Sequence, residues 1–507
     1  MSFSKAFGDV AQLTGCRFAG SAFAIALASG ACAPAPNVDV DEPLPSLEAP
    51  ETYSFLSRFP GEGEKPQNSV RYGGQSARHV LIAQLKNRIG DLKDESFTDS
   101  DTSDVVALLQ FDYDFKNAGG ADSDPLPQLL QGTGSLEQQT FGDMGSLVSL
   151  KEKVAGIDNP YPRLLLGVAD ENLSPDELIQ AWFTELADMV VQRGVDGSIP
   201  KDPAGNDIVS PFVMPDGRDL QQLLHKFIYG AVAYSQAADD YLDDDTEGKG
   251  LLSDNSQAVA GAPYTTLEHA WDEGFGYFGA ARDYASYTDE EIAGKGGRSD
   301  RQHGYFDADG NGLIDVGSEL NLGHALNAAK RDLSAAEKNP DFDLTRDAFD
   351  AFVQGRTLIS NAQGDLNDDD FAKLQKLRND ALGAWEKAIA ATIVHYINDT
   401  LADMDTFGTD CENDAQNDCY RFLDHAKHWS EMKGFALALQ FNPNAMMTPE
   451  DQEQLHGFMG LRPVLPNAET SDIQAYQTRL LDARALLGRV YGFSSDLLGD
   501  DMGKNGF

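Results

Sequence analysis

The sequence has 507 residues, and its 82 aspartates and glutamates against 39 lysines and arginines give a formal net charge of −43. A charge of this sign and size repels the phosphates of nucleic acids and anionic membrane surfaces, which excludes nucleic acid as a partner. The expected partners are cations or neutral molecules, although the same acidity also serves solubility in a salty environment.

The beginning of the chain has the layout of a secretory signal peptide. Basic residues precede an apolar run at 18–28, FAGSAFAIALA, which is too short to span a bilayer. Small residues then lead to Cys32, which suits cleavage by a lipoprotein signal peptidase and acylation of the thiol. We therefore predict a signal peptide at 1–31 and lipidation of Cys32, with ordinary cleavage near Ala28 or Ala31 as the alternative.

The stretch that follows is predicted to be a tether. Residues 32–50 hold the lipid-attachment cysteine and a run rich in proline and acidic side chains, without a periodic apolar face. Residues 51–507 then form the folded domain, which is long enough for two or three packing units. The predicted location is the bacterial cell envelope, with a lipid anchor in the membrane and the domain in the periplasm or at the outer-membrane surface.

Helical periodicity runs through nearly all of this domain, and strand-like alternation is scarce. The segment 174–194 is typical, because Ser174 caps it and Glu177 completes a capping box. Further helices are predicted at 76–92, 218–243, 264–284, 319–337, 370–406, 420–440 and 470–491. The sequence therefore predicts an all-α fold of packed helical bundles, with two pseudo-repeated halves as one arrangement.

Two of these helices carry a histidine followed by a carboxylate three places later. In the first, His269 precedes Asp272 and Glu273, and in the second His428 precedes Glu431. Residues three or four apart share a helical face, so the imidazole and the carboxylate project together. Such a pair chelates one cation or, alternatively, forms a buried hydrogen bond that locks two helices.

A further histidine, His425, stands one turn before His428. Mixed imidazole and carboxylate donors suit iron, zinc or manganese better than calcium. We also expect the two helices to face each other, which would bring their motifs into one shared site. The predicted metal ligands are His269, Asp272, Glu273, His425, His428 and Glu431.

Four segments resemble a family of uncharacterised bacterial lipoproteins. They are YSFLSRF at 53–59, SVRYGGQSARHVLIAQLK at 69–86, EHAWDEGFGYFG at 268–279 and KHWSEMKGFALALQFNP at 427–443. This family is known only as a domain of unknown function of the 4856 type. The resemblance extends over nearly all of the chain after the tether, and it implies relatives without implying an activity.

A more distant resemblance is to the imelysins, exported helical-bundle proteins linked to iron uptake and once assigned as peptidases. His428 and Glu431 match the second half of the imelysin motif Gly-x-His-x-x-Glu, whereas Ala426 stands where its glycine would be. The resemblance implies that the protein binds iron or another divalent transition metal for uptake or sequestration in the envelope. An imelysin-like metallopeptidase is the alternative.

A separate segment, YFDADGNGLIDVGSEL at 305–320, has the spacing of a calcium-binding loop. Oxygen ligands stand at its first, third, fifth and ninth places, and a glycine at the sixth place allows the turn. The twelfth place holds Ser318 instead of glutamate, so a bulge is needed to bring in the next residue. The predicted calcium ligands are Asp307, Asp309, Asn311, Leu313, Asp315 and Glu319.

Two cysteines, Cys411 and Cys419, are predicted to form a local disulfide, because an exported compartment is oxidising. The sequence contains no His-Glu-x-x-His, no Gly-x-Ser-x-Gly and no Walker loop. It therefore favours a protein that is not an enzyme, and we assign no catalytic residue. A non-catalytic interaction or scaffold protein at the cell surface is a third hypothesis, and the sequence indicates no particular protein partner.

Overall fold

The structure is a computed structural model that describes residues 48–60, 65–94, 101–115, 137–144, 149–157, 164–362, 364–409 and 419–507. The described residues belong to one compact unit. The predicted signal peptide, Cys32 and Cys411 lie outside the described residues. Lipidation and the disulfide with Cys419 therefore stay predictions.

The described chain is mostly helical, which confirms the predicted fold class. Its two short strands, β1 (Glu137–Gln138) and β2 (Leu313–Ile314), pair in parallel. None of the described helices is both long and apolar enough to cross a membrane. The helices are α1 (Gly73–Asp91), α2 (Ser103–Tyr113), α3 (Pro175–Asp196), α4 (Leu220–Ile228), α5 (Thr266–Phe278), α6 (Asp289–Ile292), α7 (Gly323–Ala335), α8 (Leu344–Asn361), α9 (Asp368–Asp405), α10 (Phe422–Ala438), α11 (Pro449–Met459), α12 (Thr470–Tyr491) and α13 (Ser495–Leu498).

The long helix α9 lies at the centre of the packing. It contacts α7, α8, α10 and α12 along its length. Its buried side chains include Trp385, Ile389 and Ile393, which recur at the spacing of four that places residues on one helical face. Helix α10 packs against both α9 and α4, so other helices cover it on two faces.

The chain stays helical beyond the last regular turn of α4. The chain continues through two π-helical segments, Tyr229–Tyr234 and Ala237–Tyr241, so that the predicted helix at 218–243 is observed with widened turns. Widened turns of this kind are frequent at functional sites. Gly230 lies so close to Ala438 of α10 that a Cβ atom at this position would overlap it.

Helix α5 shows how the local sequence sets the boundaries of an element. It begins at a capping box between Thr265 and Glu268, in which each residue accepts a hydrogen bond from the other's backbone N–H. It ends at Gly279, whose φ of 90° lies in the left-handed region that favours glycine. The helix is therefore shorter than the predicted 264–284.

Candidate cation sites and a basic interior cluster

Three of the six predicted calcium ligands lie together. One carboxylate oxygen from each of Asp307, Asp309 and Glu319 lies within 4.8 Å of the other two. Glu319 is 6% exposed, whereas Asp309 is at the surface. Glu319 therefore turns into the loop although it stands one place beyond the usual position of the final ligand.

The loop is held in shape by its first aspartate. The carboxylate of Asp307 accepts hydrogen bonds from the backbone N–H groups of Gly310, Asn311 and Gly312, at 2.8, 3.1 and 2.9 Å. Gly310 and Gly312 have φ angles of 72° and 83°, which residues with a side chain rarely adopt. The glycines of the sequence motif thus allow the chain to wrap around the Asp307 carboxylate.

Glu319 closes the loop from the other end. Its two carboxylate oxygens accept hydrogen bonds from the backbone N–H groups of Ala308, at 2.8 Å, and Asp315, at 2.9 Å. Burial raises the pKa of Glu319, and the nearby charge of Asp309 raises it further. These carboxylates repel one another, and a cation between them would remove that repulsion.

The other predicted calcium ligands lie outside this group of three carboxylates. The side-chain oxygen of Asn311 accepts a hydrogen bond from the N–H of Leu313 at 2.7 Å. Asp315 accepts one from the N–H of Gly317 at 2.9 Å. Both side chains therefore shape the loop, and Leu313 itself begins strand β2.

The carboxylates of helix α5 belong to a buried network of ion pairs. Asp272 accepts hydrogen bonds from Arg356 Nε and from the Tyr53 hydroxyl, both at 2.9 Å. Glu268 accepts bonds of 3.1 Å from Arg58 and from Arg356. Asp272, Glu268 and Arg356 are fully buried. The network holds the segment at 53–59 against α5 and α8. Asp272 therefore has the structural role that sequence analysis gave as the alternative to metal binding.

His269 forms a separate pair with Glu273 on the same helix. Its Nε2 atom lies 3.7 Å from Glu273 Oε1, and its ring stacks on Tyr264 with 4.4 Å between ring centres. Burial raises the pKa of Glu273 to about 7, although a hydrogen bond of 2.7 Å from Gln75 lowers it. His269 and Glu273 together offer one imidazole and one carboxylate.

His428 and Glu431 have different partners, although they stand one turn apart on α10. His428 Nδ1 lies 2.8 Å from Asp403 Oδ2, and its Nε2 lies 4.0 Å from Asp399 Oδ2. Glu431 instead forms an ion pair of 3.2 Å with Lys226 of α4. The two side chains therefore do not present a joint pair of ligands.

The predicted shared site between the two motifs is wrong. Helix α5 packs mainly against α8, α1 and the π-helical segment Ala237–Tyr241, whereas α10 packs mainly against α4 and α9. Within the described residues, the group of three side chains that could hold a metal ion is the one at 307–319, and it includes no histidine. The physical reason is charge compensation, because Arg356 neutralises Asp272 and Lys226 neutralises Glu431.

The third histidine of that prediction, His425, is a core residue. It is fully buried, and its ring lies 5.4 Å from that of Phe407 and 5.8 Å from that of Tyr420. Burial lowers its pKa to about 3, which keeps it neutral. Among the described residues, His425 belongs to no group of three side chains that could hold a metal ion.

Sequence analysis missed the acidic partners of His428. His395, Asp399 and Asp403 stand four residues apart on α9, and His395 Nε2 lies 3.4 Å from Asp399 Oδ2. The burial of His428 lowers its pKa, but the hydrogen bond and charge of Asp403 outweigh this effect and raise it. The spacing His-x-x-x-Asp-x-x-x-Asp within the predicted helix at 370–406 was the signal that could have found this group.

A second missed group consists of basic side chains on α1, α4 and α7 whose charges act on one another, and we call it the basic cluster. It consists of Lys86, Lys226, Lys330, Arg331 and His324. The ring of His324 is fully buried among aromatic rings of neighbouring helices. Lysines and histidines scattered over 245 residues of sequence carry no spacing signal, so only the fold reveals this group.

The fold and these sites define a mostly helical, strongly acidic protein with a loop of three converging carboxylates and a group of basic side chains, several of them buried. Residues 171–303 match the family model described as Domain of unknown function (DUF4856). The matched stretch includes α3, α4, α5 and α6 and the approach to the calcium loop. No curated protein and no solved structure matches the chain.

Proposed function

We propose that this chain is an exported, lipid-anchored helical protein of the bacterial envelope that binds a metal ion through the loop at 307–319. The observation that carries the proposal is the convergence of the carboxylates of Asp307, Asp309 and Glu319. These donors are all oxygen, which suits a hard cation such as calcium better than a transition metal. The signal peptide and Cys32 of the sequence support export and anchoring.

The test of the calcium site is a thermal unfolding series on the purified, metal-free protein. A ligand that binds only the folded state stabilises it by mass action, so millimolar calcium should raise the melting temperature. Glu319→Gln should raise the calcium concentration that is needed for the same shift in melting temperature at least tenfold. Asp482→Asn, which removes an exposed carboxylate of α12 elsewhere, is the matched control and should respond like the unchanged protein. The absence of any shift for the unchanged protein would reject the calcium site.

A transition metal such as iron is a second candidate, and its support lies around His428. Asp403 holds the Nδ1 side of the His428 ring, and Asp399 lies between the Nε2 atoms of His428 and His395. A carboxylate behind a histidine is a common way to orient it toward a metal. This group would replace the predicted ligands Glu431, His269 and Asp272, which have other partners.

Elemental analysis of protein purified without chelator decides between the two metals. Iron that is lost in His428→Ala but retained in Glu319→Gln would place a transition metal on α9 and α10. Calcium with the opposite pattern would favour the loop. The metallopeptidase alternative requires turnover of an unfolded protein substrate, and protein without either metal would favour the scaffold alternative.

A further inference from the structure

The basic cluster concentrates positive charge inside a chain whose net charge is −43. Lys226 forms its ion pair with Glu431, at 3.2 Å, and its ammonium also lies 3.1 Å from the Nδ1 atom of His225. Neither Lys86 nor Lys330 forms an ion pair within the part of the chain that the structure describes. Among the described residues, Lys226 is therefore the one cation of the cluster with an ion pair, although the charges of Glu431 and Asp219 also act on Lys86.

Arg331 has donors without acceptors. The side chain is 6% exposed, and its Nε and one terminal nitrogen have no hydrogen-bond partner among the described residues. His324 is fully buried on the same helix, and neither of its ring nitrogens has a partner there. A buried guanidinium without acceptors is costly, so buried polar groups of this kind are normally satisfied by protein, water or ligand.

The cations of the cluster also act on one another. Burial lowers the pKa of Lys86 and of Lys330 to about 8, and in both cases the charge of Lys226 is the next largest cause. Burial also lowers the pKa of Arg331 to about 10, against the opposing effects of Tyr396 and Asp399. An additional negative charge in the cluster would relieve this repulsion.

The carboxylates near Arg331 are already in use. Asp332 accepts hydrogen bonds from the backbone N–H groups of Leu344 and Thr345, at 2.9 and 2.8 Å, and burial raises its pKa to about 7. Asp399 lies beside His395, at 3.4 Å. Neither forms a hydrogen bond with the Arg331 atoms that lack partners.

We propose that the basic cluster is a binding site for a small oxyanion, a phosphate or a carboxylate group, with Arg331 and Lys330 as its main donors. A guanidinium offers paired N–H donors that match two oxygens of such a group, and an ammonium adds a point charge. Lys86 and Lys330 are partly exposed, so the cluster reaches the surface on their side. The overall negative charge of the protein opposes non-specific anion binding, so saturable binding of an anion would indicate a specific site.

The experiment uses inorganic phosphate and acetate as probes, added to the purified protein in metal-free buffer. Chloride at matched ionic strength is the reference. At least one probe should raise the melting temperature beyond chloride and give a saturable binding curve by calorimetry. Stabilisation by phosphate alone assigns a phosphate group to the ligand, and stabilisation by acetate alone assigns a carboxylate.

Two variants test the residues. Arg331→Met and Lys330→Gln should each weaken the binding of the active probe at least tenfold. Arg346→Gln removes an exposed arginine of α8 that pairs with Asp350, and this matched control should leave the affinity unchanged. In chloride, Arg331→Met should melt no lower than the unchanged protein, since it removes a buried charge without a partner.

Several outcomes would overturn the proposal. One is the absence of stabilisation by either probe at tens of millimolar. Another is an equal affinity in the unchanged protein and in Lys330→Gln, a partly exposed position at which a folding defect is not expected. A lower melting temperature of Arg331→Met in chloride, without an effect of either probe, would assign Arg331 a purely structural role.

Discussion

A buried lysine shows how strongly burial changes the pKa of a single residue. Lys433 of α10 is 3% exposed, and its ammonium nitrogen lies 3.2 Å from Nδ1 of His456 on α11. Burial lowers the pKa of Lys433 to about 7, and burial together with the charge of Lys433 lowers the pKa of His456. A neutral lysine that donates to a neutral imidazole is therefore the stable arrangement above pH 7.

The stability of the protein should depend on pH through Lys433. Below pH 7 the lysine is charged in both states, and its burial destabilises the fold on the order of a few kcal/mol. Between pH 7 and about 10.5 the unfolded state binds more protons than the folded state, so this penalty shrinks as the pH rises. Lys433→Met should therefore be more stable than the unchanged protein at pH 6.

Denaturant unfolding at pH 6, 8 and 10 measures this effect. The gain from Lys433→Met should be largest at pH 6 and smallest at pH 10. Lys376→Met, at a partly exposed position of α9, removes only a solvent-accessible ion pair with Asp380 and is the control, which should change the free energy of unfolding by less than about 0.5 kcal/mol at every pH. A gain that is the same at all three pH values would show that Lys433 is not held neutral.

The predicted site residues that the structure brings together are those that stand near one another in sequence. The convergence of Asp307, Asp309 and Glu319 could be predicted because all three stand within thirteen residues. The role of Asp272 could not, because its partner Arg356 stands 84 residues later. A His-x-x-carboxylate pattern fixes a helical face, but it does not reveal whether a distant arginine or lysine occupies that face.

At the scale of elements, the contact between α5 and α8 depends on one small residue. Trp271 of α5 is fully buried, and its ring nitrogen donates a hydrogen bond of 2.9 Å to the carbonyl of Phe352. A Cβ atom at Gly355 of α8 would overlap the Trp271 ring. The glycine therefore allows the two helices to approach closely enough for this hydrogen bond.

Gly355→Ala should destabilise the protein although alanine is the better helix former. The overlap forces Trp271 or α8 to move, and overpacking of this kind costs about 1–3 kcal/mol. Gly383→Ala, in the middle of α9, is the matched control, because a Cβ atom there meets nothing within 4 Å. It should stabilise by about 0.5–1 kcal/mol. Changes in the unfolding free energy that have opposite signs for the two variants would support this packing. An increase in stability for both variants would contradict it.

The same contact explains an element that sequence analysis missed. The predicted helices include those observed as α3, α5, α9, α10 and α12, whose apolar spacing is clear. Helix α8 was not predicted, because its buried face carries Gly355 and the charged Arg356 among its apolar residues. Helices α2 and α11 were missed as well, and they are only eleven residues long. A buried charge interrupts the apolar pattern from which a helix is predicted.

At the scale of the whole molecule, the chain has a net charge of −43, and its buried side chains include both arginines, such as Arg356 and Arg331, and carboxylates, such as Asp272 and Asp332. The loop at 307–319 and the basic cluster offer one proposed site for a cation and one for an anion on the same helical unit. Because a net charge of −43 opposes binding to anionic lipids, we expect electrostatic attraction to contribute little to membrane binding.

We therefore expect the predicted lipid on Cys32 to determine where the protein is located. If the thiol is acylated, the acyl chains hold the protein by burial of hydrocarbon, and more than one chain is needed for stable anchoring. Cys32→Ser removes the attachment point, so at least tenfold less protein should sediment with membranes. High salt should release no unchanged protein, because the predicted anchor is hydrophobic and not ionic.

The matched control is Cys16→Ser, which removes the cysteine within the predicted leader and should leave the membrane fraction unchanged. Mass spectrometry of the membrane-bound protein should find an N-terminal cysteine at position 32 that carries acyl chains. Secretion with cleavage near Ala28 or Ala31 and no lipid would instead give a protein that is soluble with or without Cys32. Membrane retention of the Cys32→Ser variant would contradict the anchor, and since the net negative charge opposes binding to anionic lipid, it would point to a protein partner that holds the domain at the membrane.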